Sequence, residues 1–241
     1  MDSGIELAKL KQKLQKIKKM GFVKTHRSGN TGIGKTLEDL MGIKENNFSS
    51  PDLGEIELKS ARKNAKSMLT LFTKSPSPKS ANSVLLSRFG YISKNNKKEL
   101  HTTIKFGEFN KIKGKIGFKI DIDKTTGDIN LVSANGEVVG SWDRDTIEKH
   151  FKKATKILYV LAEKKGSDNN ETFWFNEAVL LSDFSFENFI NMIREGKILI
   201  DIRIGQYPNG NPHDHGTGFR VKPSELDKCF EEHIKVLSLV V

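Results

Sequence analysis

The feature that most constrains this chain is the sequence PDLGEIELKS at residues 51–60. A proline and a glycine within four residues predict a turn, and the residues after Gly54 predict a strand. Because side chains alternate along a strand, Glu57 and Lys59 are expected on one face and Leu58 on the other. The turn can bring Asp52 back beside Glu57. Two carboxylates and an ammonium in this arrangement suit metal-dependent cleavage of a phosphodiester.

In this interpretation Asp52 and Glu57 hold Mg²⁺, and Lys59 positions or deprotonates the attacking water. Carboxylate oxygens are the hard ligands that Mg²⁺ prefers, and two of them leave coordination positions for water and a phosphate oxygen. A plainer alternative is that Glu57 and Lys59 form an exposed ion pair at a strand edge, and that Asp52 only forms the turn. Both interpretations remain open on this segment alone.

The charge of the chain points to an anionic partner. Lys and Arg number 40 against 30 Asp and Glu, which gives a net charge of +10. Nucleic acid is the first candidate partner, although a lysine-rich surface can also be merely solvated. The single cysteine, Cys229, excludes internal disulfides and a multi-cysteine zinc site. No run reaches the ~18–20 apolar residues of a membrane span, and no signal peptide is evident, so a soluble cytoplasmic protein is expected.

Residues 29–36 read GNTGIGKT and match the phosphate-binding Walker pattern letter for letter. That pattern binds nucleotides when a buried strand leads into the glycines and a second strand ends in a metal-binding aspartate. The segment before the glycines is polar and makes a poor central strand, whereas residues 197–201 resemble the second element. The alternative is a mobile glycine loop that leads into a helix over residues 36–41 and brings Glu38 towards the carboxylates.

Periodicity and turn residues predict an α+β fold, in which a mixed sheet is flanked by helices. Three of the strands, between residues 117 and 142, are expected to form an antiparallel meander. The predicted helices cover residues 3–20, 36–41, 144–153, 183–196 and 223–232. The predicted strands cover residues 56–60, 68–72, 102–106, 117–123, 128–133, 137–142, 156–163, 172–181, 197–204 and 233–241.

A second group of chemically active residues lies near the end of the chain. Arg203, His213, Asp214, His215 and Arg220 stand within eighteen residues, in a segment rich in glycine. Arginine binds guanine O6 and N7 in bidentate fashion, and an acidic side chain can accept from cytosine N4, so base readout is one interpretation. Zinc binding is another, although no further ligand stands at zinc-finger spacing. A buried hydrogen-bonded loop is the third.

The segment after the predicted strand at residues 68–72 is a candidate for DNA contact. Thr73 and Lys74 open a run of hydroxyls, lysines and prolines that continues to residue 80. Prolines make such a loop rigid, and its donors suit a phosphate or a base edge. An ordinary surface loop is the alternative.

Several of these motifs, taken in order, resemble the MvaI/BcnI family of restriction endonucleases. This family lies in the PD-(D/E)XK nuclease superfamily, together with the mismatch-repair nicking enzyme MutH. The resemblance covers nearly the whole chain. It is carried by GNTGIGKTLEDL at 29–40, PD at 51–52 with IELK at 56–59, LTLFTKSP at 69–76, FKIDID at 118–123, DIRIG at 201–205 and HDHG at 213–216.

The resemblance implies roles for residues of the first group. Asp52, Glu57 and Lys59 would be catalytic and Glu38 a supporting carboxylate, and Mg²⁺ would be held by Asp52, Glu57 and the backbone carbonyl of Leu58. The glycine segment would then be a feature of the nuclease, and its Walker match a coincidence. The family typically works as a monomer that clamps double-stranded DNA between two lobes.

The resemblance also implies how the chain is divided and what it reads. A catalytic lobe would span residues 1–90 and a recognition lobe residues 91–241, with Thr73 and Lys74 approaching the DNA from the lobe opposite the other readout residues. The family cuts near-palindromic sites of the CCNGG kind, one strand at a time. The branch that reads a central C or G carries His where this chain has Thr73, so CCWGG is favoured over CCSGG. Residues 88–91 and 102–105 are nevertheless more similar to that branch.

Two alternatives remain open at this point. One is a nicking or repair endonuclease of the MutH kind, which uses the same residues but depends on a protein activator. The other is a P-loop NTPase that uses residues 29–36. A restriction enzyme would further imply a cognate DNA methyltransferase in the same system, without a stable complex between them.

Overall fold

The structure is a computed structural model that describes residues 3–43 and 51–238. Within these ranges the chain forms six α-helices and sixteen strands. The helices are α1 (Ser3–Lys19), α2 (Gly32–Leu40), α3 (Ala81–Phe89), α4 (Arg144–Phe151), α5 (Phe186–Arg194) and α6 (Pro223–Leu226). The strands are β1 (Val23–Lys24), β2 (Glu57–Arg62), β3 (Leu69–Thr73), β4 (Tyr91–Ile92), β5 (Lys98–Ile104), β6 (Lys111–Ile112), β7 (Lys115–Ile116), β8 (Phe118–Ile122), β9 (Ile129–Ser133), β10 (Val138–Trp142), β11 (Ile157–Lys165), β12 (Thr172–Ser182), β13 (Ile198–Gln206), β14 (Pro212–Asp214), β15 (Gly218–Val221) and β16 (Glu232–Leu237).

The chain divides into two compact units, each built from separate stretches of sequence. Unit 1 comprises Met1–Lys66, Lys153–Phe184 and Phe230–Val241, and unit 2 comprises Ser67–Lys152 and Ser185–Cys229. The boundary predicted near residue 90 falls inside unit 2, just after α3. The chain passes between the units at four places.

Unit 1 is a mixed sheet covered by helices. Its strands run in the order β1-β12-β11-β2, with β16 beside β12. Strand β2 is parallel to β11, and the other pairs are antiparallel. Apolar side chains at helical spacing on α1 and α2 bury themselves against this sheet, because one face of each helix is apolar. The core includes Leu14, Leu37, Leu58, Leu158 and Phe173.

Unit 2 is built from antiparallel strands. One sheet has the order β3-β15-β13-β5-β4, with β14 beside β13, and β10-β9-β8 form the predicted three-stranded meander. Aromatic rings fill the core: Phe72 stacks on Phe219 at a centroid distance of 4.7 Å, and Trp142 meets Phe219 edge-on at 5.5 Å. The mixture of helices and sheets confirms the predicted α+β class.

Three helix predictions needed correction. Helix α2 begins at Gly32, four residues before the predicted start, and α3 was not predicted at all. The helix expected after residues 182–183 begins at Phe186, because Ser185 is the N-cap and its hydroxyl accepts from the backbone N–H of Asn188. The helix predicted over residues 223–232 is only α6 and a 3₁₀ turn, since Glu232 already pairs with Ser182 in the sheet of unit 1.

Most other predicted elements are present, with their ends shifted by one to four residues. Residues 239–241, the end of the last predicted strand, lie outside the described residues. None of the described helices is long and apolar enough to span a membrane.

Candidate active site

The predicted carboxylate and ammonium of β2 lie on one face of the strand. Lys59 Nζ donates to Glu57 Oε1 at 2.8 Å. Leu58 points the other way, into the core of unit 1. The backbone N–H of Glu57 donates to Lys156 O at 3.0 Å, where β2 enters its parallel pairing with β11. Glu57 is only 6% exposed, so the reading of an exposed ion pair does not describe this carboxylate.

The turn before β2 folds Asp52 back onto the strand that carries Glu57 and Lys59. Leu53 and Ile56 exchange backbone hydrogen bonds of 2.9 and 3.0 Å, and Gly54 takes a positive φ of 65° that suits glycine. This reversal allows Asp52 Oδ2 to accept from the backbone N–H of Leu58 at 3.1 Å. The structure therefore brings together the three residues singled out from the sequence, and their catalytic roles stay a prediction.

A second lysine, which the sequence analysis missed, also contacts Glu57. Lys153 Nζ lies 3.6 Å from Glu57 Oε2. Lys153 stands in the 3₁₀ turn Lys152–Ala154 that leads into β11. Only the pairing of β11 with β2 brings it to the cluster, and no local pattern around residue 153 signals this contact.

A cavity of about 350 Å³ lies beside Lys59 within unit 1. Its lining contains the basic residues Arg27, Lys35 and Lys59, together with Glu38, and several small polar or glycine positions. Glu38 therefore shares the cavity with Lys59, as the sequence suggested. The surplus of positive charge suits an anionic ligand group such as a phosphate.

The glycine segment that forms one wall of the cavity is held by the end of β2. Arg62, the last residue of β2, donates from its guanidinium to Gly29 O at 3.3 Å and to Asn30 O at 3.4 Å. The same guanidinium binds the buried carboxylate of Glu171 through Nε at 3.1 Å. Hydrogen bonds from Arg62, with a further contribution from Lys164, keep the pKa of Glu171 below its usual range.

The structure lacks the context that a nucleotide-binding Walker segment needs. The strand before the glycines, β1, has two residues and lies at the edge of its sheet. The hydroxyl of Thr36 is fully buried: it donates to Gly32 O at 2.7 Å and accepts from the backbone N–H of His26 at 3.0 Å. Lys35 Nζ forms an ion pair with Asp39 at 2.8 Å. The hydroxyl that would bind the metal in a P-loop thus belongs to the packing of α2.

In unit 2 a buried aspartate joins two of the predicted readout residues. Asp201 Oδ2 accepts from Arg203 Nε at 2.8 Å and lies 3.0 Å from Arg220 Nη1. Asp201 Oδ1 accepts from the hydroxyl of Thr103 at 3.1 Å. Burial lowers the pKa of Arg220 from its ordinary value, and Asp201 partly offsets this effect. Asp201 was proposed from the sequence as a Walker-type metal ligand, and its role here is to hold two arginines.

The predicted histidines lie together, with a third that the sequence analysis missed. The rings of His213 and His215 are 4.3 Å apart between centroids, and His101 lies 6.3 Å from His215. Tyr207 stacks on His213 at 4.4 Å. Burial lowers the pKa of His215, and the neighbouring histidines lower it further. No group of three or more His, Cys, Asp or Glu side chains that could hold a metal occurs within the described ranges.

Asp214 is engaged inside its own loop. Its Oδ1 accepts from the backbone N–H groups of Gly216 and Thr217, each at 2.8 Å, and its Oδ2 accepts from the hydroxyl of Ser75 at 2.5 Å. These contacts favour a positioning role for Asp214 over direct contact with a base.

Thr73 and Lys74 were expected on the lobe opposite the other readout residues, and this was wrong. Both belong to unit 2, as do Arg203, His213 and Arg220. Pairing of β3 with β15 places Thr73 opposite Gly218, and the backbone N–H of Lys74 donates to Thr217 O at 2.9 Å. The candidate readout residues are therefore all carried by one unit.

The chain is similar to known restriction endonucleases in sequence and in fold. The profile of the MvaI/BcnI restriction endonuclease family matches residues 11–230. The restriction endonuclease MvaI in complex with its cognate DNA substrate is 33% identical, with a TM-score of 0.85 over 98% of this chain and 100% of that one. MvaI in the absence of DNA is 32% identical, with a TM-score of 0.59 over 98% and 99% of the two chains. No curated protein sequence matches the chain. The chain belongs to the MvaI/BcnI restriction endonuclease family and is a site-specific deoxyribonuclease.

Proposed function

We propose that this restriction endonuclease hydrolyses phosphodiester bonds of double-stranded DNA with Mg²⁺ at the cluster of Asp52, Glu57 and Lys59. The observation that carries the proposal is the convergence of these side chains: Lys59 Nζ lies 2.8 Å from Glu57 Oε1, and Asp52 is folded back onto Leu58 N. Double-stranded DNA as substrate is supported by the cognate DNA in the MvaI complex.

The chemistry of the cluster fits a divalent metal ion, which restriction endonucleases of this family generally use. Glu57 Oε2 is buried and accepts no hydrogen bond from the described residues. A buried carboxylate oxygen without a donor is costly unless a cation neutralises it. We propose that Asp52, Glu57 and the backbone carbonyl of Leu58 hold Mg²⁺, which when bound would stabilise charge on the phosphate and lower the pKa of a coordinated water.

The side chains around the cluster would position the attacking water and attract the phosphates of the DNA. Lys59 positions or activates the attacking water through Nζ, while Glu57 Oε1 fixes this ammonium. Glu38 supports Lys59 from the wall of the same cavity. Arg27 and Lys35 give that cavity a positive charge suited to the phosphates of the cut strand. Attack in line with the leaving 3′ oxygen would produce a 5′-phosphate.

We propose that unit 2 reads the bases. Arg203, Arg220, His213 and His215 are the candidate base contacts, with Thr73 and Lys74 on the adjoining strand β3. Asp201 and Asp214 are expected to hold these side chains and their loop in place. The site is proposed to be of the CCNGG kind, with CCWGG favoured by the sequence TKSP at residues 73–76. The enzyme is further proposed to act as a cytoplasmic monomer, with a cognate methyltransferase in the same system.

The first test is metal-dependent digestion of phage DNA of known sequence. With Mg²⁺ we expect discrete fragments whose sequenced ends share one CCWGG motif, and with EDTA we expect intact DNA. Ends that share CCSGG would correct the proposed central pair. Nicked circles as the final product would instead indicate a nicking endonuclease, and cutting that persists in EDTA would contradict the metal.

Arg203→Ala and Arg220→Ala test the base readout. Each is expected to reduce the preference for cognate over random DNA by about 1–3 kcal/mol, because a bidentate contact to guanine is lost. Binding would be measured by titration with Ca²⁺ in place of Mg²⁺.

Arg88→Ala is the matched control for these two variants. Arg88 is an arginine of unit 2 whose guanidinium forms an exposed ion pair with Glu137. We expect this control to leave the preference for cognate DNA unchanged. Equal losses on cognate and random DNA for Arg203→Ala and Arg220→Ala would show that both arginines contact only phosphates.

A further inference from the structure

The carboxylate of Glu57 lies between two lysines that contact it in different ways. Lys59 donates a hydrogen bond to Oε1 at 2.8 Å. Lys153 lies 3.6 Å from Oε2, which is within ion-pair distance but too long for a hydrogen bond. Oε2 is accordingly a buried oxygen with no hydrogen-bond donor among the described residues. The ammonium of Lys153 therefore stabilises Oε2 electrostatically and donates no hydrogen bond to it.

The backbone fixes where Lys153 stands. Its 3₁₀ turn is separated from the start of β11 by two residues, and the N–H of Glu57 donates to Lys156 O three residues after Lys153. Ile157 is then the register partner of Glu57 in the parallel pair. A lysine at position 153 is therefore carried to Glu57 by the sheet itself.

Among the described residues, the Glu57 carboxylate contacts two lysines, Lys59 and Lys153, and Asp52 folds back onto the same strand. A divalent cation bound to Glu57 Oε2 would lie close to the ammonium of Lys153. Two positive charges a few ångströms apart repel strongly where water is partly excluded. DNA phosphates add negative charge, so binding of DNA would offset this repulsion.

We propose that Lys153 is a positioning residue whose ammonium lies beside the proposed metal-binding oxygen of Glu57 until a divalent cation replaces it. In the free enzyme its ammonium helps to hold the Glu57 carboxylate in place, and it weakens metal binding. Metal and DNA then favour each other's binding, because DNA compensates the extra charge. This inference rests on the proposed metal site at Asp52 and Glu57.

The test is Mn²⁺ binding to the full-length protein without DNA, measured by electron paramagnetic resonance of the free ion. Lys153→Met removes the charge and keeps most of the side-chain volume. It is expected to bind Mn²⁺ about ten-fold or more tightly than the wild type. Lys153→Arg keeps the charge and is expected to bind Mn²⁺ like the wild type. Loss of a merely structural contact would leave the affinity unchanged or lower it.

Two further variants make the result specific. Lys11→Met removes a lysine that is exposed on α1 of the same unit, and it is expected to leave the Mn²⁺ affinity unchanged. Glu57→Gln is expected to abolish binding. If Glu57→Gln reduces binding but Lys153→Met matches the wild type, the role of Lys153 is wrong and the metal site stands. If Glu57→Gln binds like the wild type, the metal site itself is wrong and the role of Lys153 falls with it.

Discussion

Lys59→Ala is expected to slow cleavage of cognate DNA by about 10²–10⁴-fold, the usual contribution of a positioned proton-transfer group. The reason is that Lys59 Nζ is held next to the carboxylate proposed to bind the metal, 2.8 Å from Glu57 Oε1. Binding of cognate DNA should be largely retained, because the candidate base contacts belong to unit 2. Single-turnover cleavage, with binding measured separately in Ca²⁺, separates the two quantities.

Lys63→Ala is the matched control for this variant. Lys63 follows β2 directly, but its ammonium pairs with Glu177 and not with Glu57. We expect this control to cleave DNA within a few-fold of the wild-type rate. Thermal unfolding would be recorded for both variants, since Lys59→Ala leaves Glu57 Oε1 without its donor. A folded Lys59→Ala protein that cuts at the wild-type rate would remove Lys59 from the catalytic centre.

Asp201→Asn is expected to lower the free energy of unfolding by about 3 kcal/mol, as removal of one partner from a buried ion pair typically does. The side chain of Asp201 is only 6% exposed, and both Arg203 and Arg220 contact its Oδ2. The amide keeps the shape and removes the charge, so the two guanidinium groups then face each other without compensation. Urea unfolding of the purified variant measures the effect.

The same variant is expected to lose preference for cognate DNA, because both arginines lose the group that orients them. Asp121→Asn is the control: Asp121 is an exposed carboxylate on β8 of the same unit, and its replacement should change stability by about 0.5 kcal/mol or less. Unchanged stability and unchanged preference for cognate DNA in Asp201→Asn would show that the arginines are held by other contacts.

The active-site strand was predictable because every relation in it is local. Alternation along β2 placed Glu57 and Lys59 on one face, and the turn at Gly54 returned Asp52 to the strand. The meander of β8, β9 and β10 was equally predictable from its turn residues. In each case the partners stand a few residues apart, so the geometry of the chain brings them together.

Helix ends and the division into units were predicted less well. Helix α2 starts inside the glycine segment because Ile33 and Leu37 pack into the core of unit 1. Residues 223–232 do not continue as a helix, because pairing of β16 with β12 takes the chain into a sheet. Both outcomes depend on packing against distant segments, which overrides local helix propensity.

The sequence by itself determined which side chains share one face of β2, the α+β class and, through its motifs, the nuclease family. Only the tertiary structure showed that Lys153 contacts Glu57 and that Arg62 donates hydrogen bonds to the glycine segment. It also showed that Asp201 contacts two arginines. It also put Thr73 on the same unit as the other readout residues. The physical reason is that strand pairing chooses partners by burial of the whole core, and such long-range pairing leaves no periodic signal in the neighbouring sequence.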